Sequence, residues 1–234
     1  MYDSRLGSES PDGEASLSLW QDFQTNDGKI IHKWVHYFPI YERHFSWYRN
    51  KSLTFLEIGV ARGGSLGMWQ RYFGPLAKIV GIDIEEKCKA AEAPGIFVRI
   101  GDQSDEKFLQ SIIDEFGVPD VVLDDGSHLM DLTAKSFKFL YPRMPKNAVY
   151  MVEDLHTAYW SEFGGGLNEP GTFINLAKGF VDKLNADHSR GQVEPDYITR
   201  QTFGISFYDS IVVLEKGDVW RKDSIRVGRR PLFT

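Results

Sequence analysis

The sequence has 234 residues, 42% of them hydrophobic and 26% charged, with a formal net charge of −6. That length can bury a sizeable core as one α/β unit, and the negative balance argues against a general affinity for nucleic acid. No apolar run approaches a membrane span and no signal-like apolar stretch opens the chain, so a cytoplasmic protein without membrane partners is expected. One cysteine, Cys88, excludes an internal disulfide and a thiolate metal cluster.

Residues 1–18 are rich in Ser, Gly, Glu and Asp, lack periodicity and read as a mobile tail. From Leu19 the character changes. Leu19-Trp20, Phe23, Ile30-Ile31, Trp34-Val35, Tyr37-Phe38, Tyr41 and Phe45 recur at helical spacing, with a turn at Asn26-Asp27-Gly28. This predicts a helical preface of one or two helices over 19–50, ahead of the sheet of a domain spanning 51–217.

The stretch from Thr54 to Leu66 is a short apolar run, a glycine turn and the start of a helical pattern that continues to Phe73. It reads as the first strand–turn–helix of a nucleotide-binding sheet. Gly59 admits close approach of a ligand to the backbone, and Gly63-Gly64 supply the turn. Ser65 is expected to cap the helix. Glu57, inside a buried strand, demands a partner.

A second strand, Lys78 to Ile84, carries Asp83 at its end, where an acid accepts hydrogen bonds from ribose hydroxyls. A third, Gly95 to Asp102, ends in Asp102 and Gln103; either reaches an adenine amino group, or Asp102 caps the turn before the helix over 105–116. The fourth strand starts at Pro119 and runs into Asp124-Asp125-Gly126-Ser127-His128, with a helix following. The fifth, from Ala148, runs into Glu153-Asp154 and His156. Strands alternating with helices make a Rossmann-like, mostly parallel sheet with helices on both faces. Beyond Gly164-Gly165-Gly166 the segment 167–196 is looser, with a helix around Phe173–Leu184. Tyr197–Ser210 and Ile211–Glu215 read as a terminal antiparallel hairpin, and 218–234 as an irregular tail.

The two acid pairs leave neighbouring strands at one sheet edge. Asp125, Glu153 and Asp154 can converge, and clustered carboxylates repel unless a cation neutralises them. All-oxygen ligation suits Mg²⁺ first, with Mn²⁺ or Ca²⁺ as competitors. Such an ion holds and acidifies a hydroxyl. His128, at the start of the following helix, is placed to take the proton; the plainer alternative is that it only hydrogen-bonds a carboxylate. His156 is a rival base or a partner behind the acids.

Glu57-x-Gly59 resembles motif I of the class I S-adenosylmethionine-dependent methyltransferases. The Gly-x-Gly-x-x-Gly of nicotinamide oxidoreductases is missing. Together Glu57-Ile-Gly59, Gly63-Gly-Ser-Leu-x-Met-Trp69, Gly101-Asp-Gln-x-Asp105, Asp124-Asp-Gly-Ser-His128, Glu153-Asp-x-x-x-Ala-Tyr-Trp160 and the upstream Asp27-x-Lys29-x-x-His32 look like the Mg²⁺-dependent sugar O-methyltransferases of macrolide (mycinamicin and macrocin) and aminocoumarin biosynthesis. The resemblance spans about Thr25 to Gly166. It implies the class I methyltransferase fold with a seven-stranded sheet. Asp125, Glu153 and Asp154 would hold the metal and His128 would be the base. Glu57, Gly59, Ser65, Asp83, Asp102, Gln103 and Asp124 would surround S-adenosylmethionine and its product S-adenosylhomocysteine, with Lys29 and His32 closing over it. Tyr159, Trp160 and His156 fall to the acceptor, and 167–196 with the preface to a lid. It further implies a saccharide acceptor bearing a hydroxyl beside a second hydroxyl, and a homo-oligomer. The alternatives are a phenol or catechol acceptor, or a binding module without catalysis. The longer macrolide enzymes carry an N-terminal auxiliary domain where this sequence has the brief preface.

Overall fold

The computed structural model describes residues 18–218 and 222–229. The tail expected over 1–18 lies outside these except for Ser18, whose side chain caps the first helix. Five strands, β1 (Leu53–Ile58), β2 (Ala77–Asp83), β3 (Ile96–Ile100), β4 (Val121–Asp124) and β5 (Val149–Val152), pair in parallel. β6 (Thr202–Tyr208) and β7 (Ile211–Lys216) form the antiparallel hairpin, β7 pairing with β5. The sheet has seven strands in the order β3-β2-β1-β4-β5-β7-β6. The helices are α1 (Leu19–Gln24), α2 (Phe38–Phe45), α3 (Gly64–Phe73), α4 (Glu106–Phe116), α5 (Met130–Leu140), α6 (Phe173–Leu184) and α7 (Tyr197–Gln201).

Successive strand residues face opposite sides, and both sides are covered. Leu53 and Phe55, Val121 and Leu123, and Val149 and Met151 pack beneath α1, α2 and α3. Leu56, Ile58, Val122, Tyr150 and Val152 pack against α4, α5 and α6. This explains the near-continuous apolar strands: a parallel sheet buried on both faces has no polar side. The preface aromatics fill the first core, where Trp69 is fully buried among Tyr41, Phe45, Phe55 and Phe73.

Local departures from the sequence reading have physical causes. Gly63, left-handed at φ 74°, is the N-cap of α3, and Ser65 lies inside the first turn, its hydroxyl turned to Glu57. The hairpin's first strand begins at Thr202 because Asp196 and Thr199 form a capping box that starts α7 at Tyr197. α5 begins at Met130, so His128 stands in the loop before it, not on the helix. Residues 26–34, between the two preface helices, cross the molecule without helix. Gly64 permits this crossing: a Cβ there would lie 2.4 Å from the carbonyl oxygens of Lys29 and Ile30. Within 167–196, Phe173, Ala177 and Phe180 of α6 are buried in the second core.

Lys216, 7% exposed, ties the hairpin to the turn after α5. Its ammonium donates to the carbonyls of Tyr141 at 3.1 Å, Pro142 at 3.4 Å and Met144. Lys216→Met takes the ammonium donor from all three carbonyls, of which that of Tyr141 keeps the Met144 amide at 3.2 Å, and is expected to cost about 1–3 kcal/mol in urea unfolding at pH 7. Lys138→Met on the exposed side of α5 should change stability by less than about 0.5 kcal/mol.

Candidate active site

Parallel pairing of β4 and β5 brings their carboxyl ends side by side, so the residues just beyond them must meet. Asp125, His128 and Asp154 each offer an atom to a group whose members lie within 4.8 Å of one another. His128 Nε2 is 4.0 Å from Asp125 Oδ1 and 3.7 Å from Asp154 Oδ2. Both His128 (φ 57°) and Asp154 (φ 56°) hold left-handed backbone, a conformation uncommon away from glycine and concentrated at functional sites. Tyr37 helps to fix Asp154, its hydroxyl donating to Oδ1 at 2.6 Å.

Glu153 occupies the inner side of this group. Its carboxylate is 2% exposed and accepts from the Tyr41 hydroxyl and the Lys33 ammonium. Lys33 also donates to Asp125 Oδ2 at 2.5 Å and lies 3.7 Å from Glu57 Oε1, with its side chain only 3% exposed. Burial pulls the Lys33 ammonium toward neutrality, but Asp125, Glu153 and Glu57 outweigh it and hold the group above the usual lysine range. Burial, with Asp125 adding to it, pushes Glu153 well up. Lys33, Tyr37 and Tyr41 were not singled out from the sequence. They reach the acids from the preface, across 92 residues in the case of Lys33 and Asp125, and no local pattern marks that approach.

Glu57 finds the partners a buried acid requires. Ser65 Oγ donates to it at 2.8 Å and Trp69 Nε1 at 3.2 Å; burial, opposed chiefly by Lys33, pushes its carboxyl up to about 7. Asp124 faces the other core, where it accepts from Ser136 at 2.9 Å, Tyr150 at 3.2 Å and Gln103 at 3.4 Å. Burial pushes it up to about 6. Neither carboxylate lines the cavity. Each anchors a residue that does, Ser65 and Gln103 respectively.

That cavity, about 370 Å³, opens along the ends of β1 to β5. Gly59, Ser65, Asp83, Asp102, Gln103, Asp125, His128 and Asp154 line it, with Ile30 to Lys33 of the preface opposite. Asp83 accepts from the amides of Val60 at 2.9 Å and Ala61 at 3.1 Å, so it shapes the glycine turn while facing the cavity. Although burial opposes it, these amides with that of Glu85 hold its carboxyl below the usual range. Asp102 accepts from the Ser104 amide at 2.7 Å, and Asp105 caps α4. Gln103 is fixed by donating to Asp124 and accepting from the Ser127 amide at 2.9 Å. His32 lines the cavity; Lys29 lies outside it, bonded to the Ala90 carbonyl at 3.1 Å.

Beside His128 runs an aromatic wall. Phe163 lies 6.2 Å from His128, Trp160 lies 6.1 Å from Phe163, and His156 lies 4.9 Å from Trp160 and 5.6 Å from Trp34, all between ring centroids. Trp34, Tyr159 and Trp160 are about half exposed. His156 Nδ1 stands 4.0 Å from Asp154 Oδ1. No residue of 167–196 lines the cavity.

The sheet order, the helices on both faces and the ligand-sized cavity at the carboxyl ends define a class I methyltransferase fold, and solved structures agree. A methyltransferase from the mycinamycin biosynthetic pathway, in complex with Mg and SAH, superposes with a TM-score of 0.75 at 34% identity, covering 89% of this chain and 58% of its own. A second structure of that protein, with Mg, SAH and mycinamycin VI, gives 0.74. Among curated proteins, demethylmacrocin O-methyltransferase of Streptomyces fradiae is 38% identical over 204 residues, covering 79% of this chain and 50% of the relative. Mycinamicin VI 2''-O-methyltransferase of Micromonospora griseorubida is 37% identical over 199 residues, covering 78% and 49%. The chain is thus similar to these O-methyltransferases over about four fifths of its own length, and it spans about half the length of the curated relatives it matches. No protein-family model matches it.

The glycine of the turn is constrained by the protein itself. Gly59 has φ 95°, and a Cβ there would sit 2.0 Å from the Asp125 carbonyl oxygen. The close approach that its lack of a side chain permits is that of the neighbouring strand end. Gly59→Ala should therefore destabilise the fold by roughly 3 kcal/mol or more, read by thermal unfolding; a change below about 1 kcal/mol would contradict this packing.

Proposed function

We propose that the chain transfers a methyl group from S-adenosylmethionine to a sugar or glycoside hydroxyl that has a second hydroxyl beside it, with a divalent cation, Mg²⁺ foremost, at the acid cluster. The observation that carries this reading is the convergence of Asp125, Asp154 and His128 at one end of a cavity lined by the glycine turn, Asp83 and Gln103. It is supported by relatives named as O-methyltransferases, one of them the 2'-O-methyltransferase of a rhamnosyl tetracenomycin, and by a related structure in complex with Mg, SAH and mycinamycin VI.

The residues present fit both groups. Asp125, Glu153 and Asp154 form an all-oxygen donor set suited to a hard cation. The cluster already draws in the Lys33 ammonium as a stand-in cation. Asp83, Asp102 and Gln103 offer polar atoms for the ribose and adenine of a nucleoside cofactor, next to Gly59 and Ser65 for its amino-acid end. When bound, the cation neutralises the acids and lowers the pKa of an acceptor hydroxyl, and the sulfonium of the cofactor supplies an electrophilic methyl.

The chain's own contribution is positioning and proton transfer. His128 accepts the acceptor hydroxyl's proton at Nε2, with Asp125 and Asp154 near enough to stabilise the imidazolium that forms. Gln103, held by Asp124 and Ser127, keeps the base end of the cavity rigid. Trp34, His156 and Trp160 pack edge to face on one another outside the lining of the cavity, and their exposed surface is offered to the part of the acceptor that extends beyond it. A homo-oligomer belongs to the same proposal, and edge strand β6 supports it by leaving Phe203 at 71% and Phe207 at 46% exposed.

His128→Ala and Asp125→Asn should each lower turnover by roughly 10²-fold or more while leaving the fold intact. The assay is S-adenosylhomocysteine release with a panel of vicinal-diol glycosides, and Asp131→Asn on α5 should be unchanged. Full activity of His128→Ala would remove the base assignment, and full activity in excess chelator the metal. Trp160→Ala should raise KM for the acceptor about tenfold with kcat little altered, because a stacked ring contributes uniform binding; a fall in kcat alone would contradict that role.

A further inference from the structure

Lys33 is buried where the proposed centre needs a cation. Its ammonium stands between Asp125 and Glu153, at 2.5 Å from Asp125 Oδ2, with Glu57 at 3.7 Å. Both Glu153 oxygens are engaged, one by Lys33 and one by Tyr41. Asp125 is divided, with Oδ2 on Lys33 and Oδ1 toward His128. A divalent ion ligated by Asp125 and Glu153 needs those oxygens at about 2.0–2.6 Å, which places it against the ammonium. Two cations do not share that oxygen pair.

Lys33 also belongs to the segment that closes the cavity. Ile30, Ile31, His32 and Lys33 all line it, and the segment crosses the N-terminus of α3 over Gly64. Within it, Ile30 and Trp34 are 63% and 52% exposed, while Ile31 packs against the first core and Lys29 bonds to the Ala90 carbonyl. The ion pair is the fastening that joins the cover to the acids at the sheet edge, beside the packing of Ile31 and the Lys29–Ala90 bond.

Resting on the metal-centre reading above, we propose that Lys33 is a tethered place-holder. It neutralises Asp125 and Glu153 when no divalent ion is bound and is exchanged for the ion on loading. Exchange replaces one positive charge by two among Glu57, Asp125, Glu153 and Asp154, which strengthens the neutralisation of the cluster. The same event frees the Lys33 head and loosens the 26–34 segment over the cofactor cavity. Lys33 is thus a positioning residue that makes occupancy of the cation centre and the state of the cover one equilibrium.

The test uses Mn²⁺ as probe on the whole, chelator-treated chain. Reductive methylation read by peptide mass spectrometry should leave Lys33 unmodified without Mn²⁺ and modify it at saturation, while exposed Lys29 reacts in both states. In calorimetric titration Lys33→Met should bind Mn²⁺ about tenfold or more tighter than the unaltered chain, since no buried ion pair has to be broken first. Its metal-free form should unfold at a lower temperature. Protection of Lys33 that persists at saturating Mn²⁺, or a variant affinity no tighter than that of the unaltered chain, overturns the exchange while leaving the metal centre standing. Absence of Mn²⁺ binding in both proteins overturns the metal centre and the exchange with it. Should Lys33→Met fail to fold without metal, the labelling of the unaltered chain decides alone.

Discussion

Four carboxylates, Glu57, Asp125, Glu153 and Asp154, are gathered at one end of a parallel sheet, and their mutual repulsion is the constraint on which the site depends. Two of them, Glu57 and Glu153, are almost completely buried. Such a cluster persists only with hydrogen bonds to its buried oxygens and positive charge within reach. Ser65 and Trp69 serve Glu57, Tyr37 serves Asp154, Tyr41 serves Glu153, and Lys33 spans three of the four. The preface, which supplies Lys33, Tyr37 and Tyr41, is consequently part of the site as well as a covering layer. Removing it would expose aromatic core and strip the acids of their partners together.

The rest of the fold serves to place this cluster. β1, β4 and β5 lie side by side, so acids within or just beyond them must meet whatever their separation in sequence. Strand parity then sorts them. Glu57 points to the α3 face and Asp124 to the α5 face, where each holds a residue that lines the cavity. The residues one step past the strands, Asp125 and Asp154, turn to the opening itself, helped by left-handed backbone at His128 and Asp154.

Much of this was legible in the sequence because it is carried by local pattern. The apolar runs ending in acids gave the strands, the glycine turn gave the entry to α3, and alternation with helices gave a parallel sheet. Strand ends are where ligands bind in such sheets, so Asp83, Gln103, Asp125, His128 and Asp154 were readable as cavity residues. What escaped was set by tertiary contact. Ser65 reads as a cap by position, yet the deeper requirement of Glu57 draws its hydroxyl inward. Asp124 reads as a cofactor contact, yet parity turns it to the opposite core. The spacing of the preface aromatics reads as helix on either side of the Asn26-Asp27-Gly28 turn, but a crossing over Gly64 keeps residues 30–34 out of helix. Lys33 carries no signal except a deficit of positive charge, since an isolated lysine among aromatics looks like surface.

The proposed activity requires the cavity to be the seat of a nucleoside cofactor with a sulfur-bearing amino-acid end. Calorimetric titration of the chelator-treated chain with S-adenosylhomocysteine, with and without Mg²⁺, tests that most directly. Saturable one-to-one binding, lost on Asp83→Ala, is expected. No heat and no thermal stabilisation by S-adenosylhomocysteine or S-adenosylmethionine under either condition would contradict it, and the methyltransferase fold would then carry some other function.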